Sequence, residues 1–131
     1  MHIEQDLRMP GAVVLQVKGE VTNRHFHRFN DATEPTQYDG RSLLILDIRL
    51  VQFIASIGIG ALITALRAWR RADGLMVLTK PKPPVAEVLH RIGIEKIISI
   101  YDNVNEAYQD NIGADGRLII STELPKEDSA S

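Results

Sequence analysis

Few residues in this chain could do chemistry, and the segment Phe53-Ile54-Ala55-Ser56-Ile57-Gly58-Ile59-Gly60 gathers the most suggestive of them. Ser56 stands where an apolar run gives way to helical spacing. Its hydroxyl can serve as a helix N-cap, as a contact for a partner, or as a phosphate acceptor whose charge a helix N-terminus tolerates. Gly58 and Gly60 allow two readings. One is a turn that holds phosphate on backbone N–H groups; the other is close helix–sheet packing together with Ala61, Ala65 and Ala68. The dinucleotide pattern G-x-G-x-x-G would need a third glycine where Ile63 stands, and a Walker lysine is absent.

The histidines are His2, His25, His27 and His90. His25 and His27 flank Phe26, and helical positions two apart point to different sides, so a shared metal ion is not expected. With no cysteine, thiolate nucleophiles, disulfides and Cys-based metal centres are excluded. Ser56 lies outside any G-x-S-x-G pattern. Asp47 ends an apolar run, but one carboxylate without a partner does not make acid–base chemistry. No catalytic residue, metal ligand or cofactor is therefore assigned. Arg67, Arg70 and Arg71 close a helical stretch, either as a grip for an acidic partner or as a solvated end that suits the helix dipole.

The elements that position these residues follow from hydrophobic spacing. Ala12 to Val17 is a β-branched run read as a strand, with a break at Lys18-Gly19-Glu20. Ile3 to Leu7 is its hairpin partner through the turn Met9-Pro10-Gly11. Asn23 to Ala32, with Phe26 and Phe29 three apart, predicts a short amphipathic helix. Leu43 to Ile48 is continuously apolar, the pattern of a strand covered on both faces. From Ile57 to about Ala72 the apolar residues recur at three and four, until Asp73-Gly74 stops the helix.

Leu75 to Thr79 is a second buried strand, followed by a helix with Pro84 in its first turn and Val85, Val88, Leu89 and Ile92 on one stripe. Ile97 to Tyr101 is a third buried strand, and Asp102 or Asn103 caps a last helix through Ala107 and Tyr108. Strand and helix alternate, so the fold class is α/β with a mainly parallel sheet. After Asn111 the pattern fades; Leu118-Ile119-Ile120 is read as a short edge strand and Pro125 to Ser131 as a disordered tail. Residues 1–112 are thus expected to form one domain, and 113–131 a partly disordered C-terminal extension.

A chain of 131 residues suits one domain. A net charge of -2 and 5% aromatic residues argue against a nucleic-acid partner. The polar, acidic start and apolar runs too short for a bilayer predict a cytoplasmic chain without membrane insertion.

The order of these segments resembles the STAS family, which includes anti-sigma factor antagonists and the cytoplasmic part of sulfate transporters. Gly19-Glu20-Val21-Thr22 is similar to the family's G-E-h-D, where h is hydrophobic, and Leu43 to Ile48 to its L-L-L-D-L. Phe53 to Gly60 resembles F-h-D-S-S-G-h-G, and Gly74 to Leu78, Val85 to Gly93 and Ile97 to Ala107 follow in the family's order. The resemblance covers about residues 2–110.

It implies a STAS-like fold: a mixed, mainly parallel sheet of four to five strands flanked by about four helices. It also implies a non-catalytic module whose partner is a protein, either an anti-sigma factor with serine kinase activity or other STAS proteins, including copies of itself. In antagonists of this family the serine directly before the first glycine is phosphorylated. Ile57 stands there, and Ala55 and Thr22 replace the acids of the motifs. The implied partner surface is Ser56, Ile57 and Gly58 with Thr22 and Asn23 beside it, and Ser56 is the hydroxyl left for modification. A scaffold subunit of a signalling or membrane-transport complex, and a small-ligand or nucleotide-binding domain, are the alternatives.

Overall fold

The strands expected between residues 3 and 101 all contribute to one sheet. The computed structural model describes residues 1–119. Its strands are β1 (His2–Asp6), β2 (Ala12–Val21), β3 (Leu43–Ile54), β4 (Leu75–Thr79) and β5 (Ile100–Tyr101), in the spatial order β1-β2-β3-β4-β5. β1 runs antiparallel to β2 and every other pairing is parallel. The parallel strands are joined by α1 (Phe26–Thr33), α2 (Ser56–Arg71) and α3 (Pro83–Arg91), and α4 (Val104–Asn111) follows β5.

Alternation along the strands divides the core. Val13, Leu15, Val17, Leu44, Leu46, Met76 and Leu78 pack with Phe29 of α1, Leu62, Leu66 and Trp69 of α2, and Val85 and Leu89 of α3. Ala12, Val14, Leu43, Ile45 and Val77 point the other way, against Ala107 of α4 and Ile112. β3 begins as an unbroken apolar run because both of its faces are covered there. Trp69 joins the C-terminal ends of α1 and α2: its Nε1–H donates to the Thr33 carbonyl at 2.7 Å, and its ring stacks on Tyr38.

Several boundaries depart from expectation. The break at Lys18-Gly19-Glu20 lies within β2, which runs on to Val21 through register shifts and a left-handed Gly19 (φ 90). It persists as a strand because β3 also continues, to Ile54, and supplies the partner residues Leu50 to Ile54. Two residues make β5, half-buried at the sheet edge, in place of the buried strand expected from Ile97. Gly93 turns left-handed, Ile94–Lys96 forms a 3-10 turn, and Ile97 and Ile92 point outward. With a neighbour on one side only, this segment pairs just Leu78 with Ile100 and Thr79 with Tyr101.

The stop after α2 is shared between two residues. Asp73 itself takes the left-handed conformation (φ 62), while a Cβ on Gly74 would lie 2.7 Å from the Ser42 carbonyl oxygen. Asn103, of the two candidate caps, starts α4 by accepting the Glu106 N–H at 2.9 Å. Leu118 forms one antiparallel bridge with Ile112 where a short strand was expected. Ile120 and the segment Pro125 to Ser131 lie outside the described residues.

Candidate partner-binding site

The turn from β3 into α2 is anchored on the end of β2. The Ala55 N–H donates to the Val21 carbonyl at 2.9 Å, which sets the chain entering α2 beside Thr22 and Asn23. Gly58 then passes so close that a Cβ there would lie 2.8 Å from Ile54 Cγ1 and 2.9 Å from Val21 Cγ1. Only glycine fits this approach without displacing the strand ends. Gly60 differs, since a Cβ there would meet nothing within 4 Å among the described residues. The packing reading holds for Gly58 and not for Gly60.

Ser56 is not the N-cap. Ala55 occupies that position in extended conformation, and its carbonyl accepts from the Gly58 and Ile59 N–H groups. Ser56 is the first helical residue, exposed, and its hydroxyl has no hydrogen-bond partner among the described residues. Beside it Ile57 is 39% exposed, and Phe53, the second-last residue of β3, is 51% exposed. Each leaves apolar surface exposed within four residues of the start of α2. Phe53 was missed as a site residue. Its only signal was a large apolar side chain heading the motif, since strand alternation from buried Val51 would have turned it inward.

Of the other predicted residues, Asn23 is exposed and Thr22 half-buried. Thr22 caps a 3-10 turn (Asn23–His25), its Oγ1 accepting the Arg24 N–H at 3.3 Å and lying 3.3 Å from His25 Nδ1. Burial, then the N-terminal ammonium and Arg24 and Arg28, hold the His25 imidazole below its ordinary pKa. Gly58 is buried and contributes by letting the strand and helix ends meet. The site therefore combines exposed apolar side chains with the Ser56 hydroxyl and the Asn23 amide, which have no hydrogen-bond partner among the described residues.

Asp47 does structural work away from this end of the sheet. It is 2% exposed. Its carboxylate receives Arg49 through two bonds of 2.9 Å, the Thr79 hydroxyl at 2.9 Å and the Gln16 amide at 3.4 Å. Burial pushes the carboxyl up, but the bonds from Arg49 and Thr79 outweigh it, and the pKa lies below the usual carboxylate range. Among the described residues, no group of three or more His, Cys, Asp or Glu could hold a metal ion.

Residues 5–107 match the STAS domain. The chain belongs to the STAS domain family. It spans 80% of the length of the anti-sigma F factor antagonist of Paenibacillus polymyxa, with 26% identity over 98 residues and 71% of this chain covered. Against another bacterial relative it spans 63% of that protein's length. The crystal structure of an anti-sigma factor antagonist from Mycobacterium paratuberculosis superposes with a TM-score of 0.72 at 19% identity, covering 82% of this chain and 91% of that one. A sulfate transporter family protein from Wolinella succinogenes superposes with a TM-score of 0.65 at 17% identity, covering 74% and 81%. The fold expected of a STAS domain, a mixed sheet flanked by four helices, is the fold observed. Among the described residues, no helix of this STAS domain is long and apolar enough to cross a membrane.

Proposed function

We propose that this STAS domain is a non-catalytic, cytoplasmic protein-interaction module of the anti-sigma factor antagonist class. It binds an anti-sigma factor of the serine kinase type through the N-terminal end of α2, and does so without phosphorylation at the family's usual position. The observation that carries this reading is the outward-facing pair Phe53 and Ile57, 51% and 39% exposed, at the turn whose motif resembles the family's partner surface. Covering what remains exposed of both side chains contributes about 2 kcal/mol, or roughly 30-fold in affinity. Ile57 has no hydroxyl and cannot receive phosphate. A charge that would break such a contact is therefore never placed at its centre.

The test takes the full chain, ATP and the purified anti-sigma factor kinases of the same genome. Calorimetry is expected to show binding that Ile57→Asp abolishes, and intact-mass measurement to show no added phosphate. Unchanged binding by the variant removes the proposed surface, and a phosphate on Ser56 removes the phosphorylation-independent reading. Stable self-association with no kinase binding would move the assignment to a scaffold subunit.

A further inference from the structure

The exposed side of α2 does not end at Ile57. Gly60, Thr64, Arg67 and Arg71 follow along it, all exposed. Charge on this side is unbalanced. The ion pairs among the described residues are His2–Glu4, Asp6–Arg8, Asp47–Arg49, His90–Glu95 and Glu87–Arg91, none of them on α2. Arg70 donates to the Ile97 carbonyl at 2.7 Å. Arg67 and Arg71 have neither an ion pair nor a side-chain hydrogen bond among the described residues, in a chain whose net charge is -2. The helix dipole explains cations in the last turn only, because its effect falls off within that turn. Arg71 lies in that turn; Arg67 lies just before it. Between the apolar end and the arginines, Gly60 carries no side chain and has open space where one would stand. There a partner can approach the backbone closely.

We propose that the partner presents an acidic protein segment that lies along α2, its apolar side chains on Phe53 and Ile57 and its carboxylates on Arg67 and Arg71. This rests on the reading of the α2 N-terminus given above and names the chemistry of the partner. From Ile57 to Arg71 the helix rises about 21 Å, so a segment of about four helical turns spans it. Exposed arginines attract carboxylates over roughly a Debye length of 8 Å, so association is expected to weaken as salt rises.

The experiment places a photo-crosslinking residue at Asn23, beside the apolar end, or at Thr64, beside the arginines, in the full chain expressed in its host. The expected result is the same protein captured at both positions, with an acidic peptide joined at Thr64. Arg67→Glu/Arg71→Glu should lower affinity for that protein by about 2- to 30-fold, the range spanned by two solvent-exposed ion pairs, and flatten its salt dependence. Arg67→Gln/Arg71→Gln, which matches the Glu variant in length but removes the charge without reversing it, should show a smaller loss in the same direction. Capture at Asn23 alone leaves the α2 N-terminus as the site and overturns the acidic segment. A non-acidic peptide or nucleic acid joined at Thr64 overturns it as well. Capture at neither position overturns both readings.

Discussion

Gly58 and Gly60 are the same residue in the same helix, and their surroundings predict opposite consequences for the same substitution. Replacing either by Ala gains helix propensity, about 1 kcal/mol in a helix interior. At Gly60 the new methyl meets nothing within 4 Å. Gly60→Ala is therefore expected to stabilise by about 0.5–1 kcal/mol. At Gly58 it would sit 2.8 Å from Ile54 Cγ1, 2.9 Å from Val21 Cγ1 and 3.3 Å from the Val21 carbonyl oxygen. Overpacking of this kind costs about 1–3 kcal/mol, so Gly58→Ala comes out neutral to about 2 kcal/mol destabilised. The difference between the two variants, about 1–3 kcal/mol, isolates the steric term because propensity largely cancels. Urea unfolding can be followed by the fluorescence of Trp69, the single tryptophan, which is fully buried in the native state. Each kcal/mol corresponds to roughly 3–5 °C in Tm for a domain of this size. Equal stabilisation by both variants would refute the reasoning, for it would mean that the strand ends under α2 have slack.

Ile57→Asp is expected to cost no more than about 1.5 kcal/mol of stability while abolishing partner binding, since 39% of the residue is exposed and the remainder packs on the domain; a coincident loss of fold in urea unfolding would count against a surface role. Asp47→Asn should cost about 1–3 kcal/mol by weakening the bonds to Arg49 and Thr79, measured by the same unfolding assay. Its effect depends on pH with a definite sign. The folded-state pKa of Asp47 is lowered, so its contribution is present above the ordinary carboxylate pKa and is lost as pH falls through the lowered folded value. The Tm difference between wild type and Asp47→Asn should then shrink on acidification below about pH 4, and a constant difference down to pH 2 would contradict this. Asp6, held at about 2 by its hydrogen bonds from Arg8, titrates in both proteins and drops out of the comparison. Trp69→Phe removes the 2.7 Å bond to the Thr33 carbonyl and part of the core, and is expected to cost about 2–4 kcal/mol by circular dichroism.

Particular residues mark where the sequence was legible. Leu43 to Ile48 and Leu75 to Thr79 are too apolar to be anything but covered, and the three-and-four spacing from Ile59 to Trp69 matches the buried side of α2. Legibility failed where pairing decides. Lys18-Gly19-Glu20 has break-prone residues, yet β3 continues alongside and holds them in the ladder. Ile97 to Tyr101 has strand-forming residues, but at the sheet edge two of them suffice. At the candidate site, Ser56 has the usual cap chemistry, while the bond from Ala55 to Val21 shifts the cap one residue earlier.

By itself the sequence determined the α/β class, the order of strands and helices, the STAS resemblance, and the lack of any thiol chemistry, because those depend on residue type and short-range spacing. Tertiary structure decided which of two identical glycines is sterically required, that Phe53 and Ile57 are both exposed, and that, among the described residues, the Ser56 hydroxyl has no hydrogen-bond partner and Arg67 and Arg71 have no ion pair. Exposure and proximity depend on what the rest of the chain brings alongside a residue, and spacing along the chain does not carry that information.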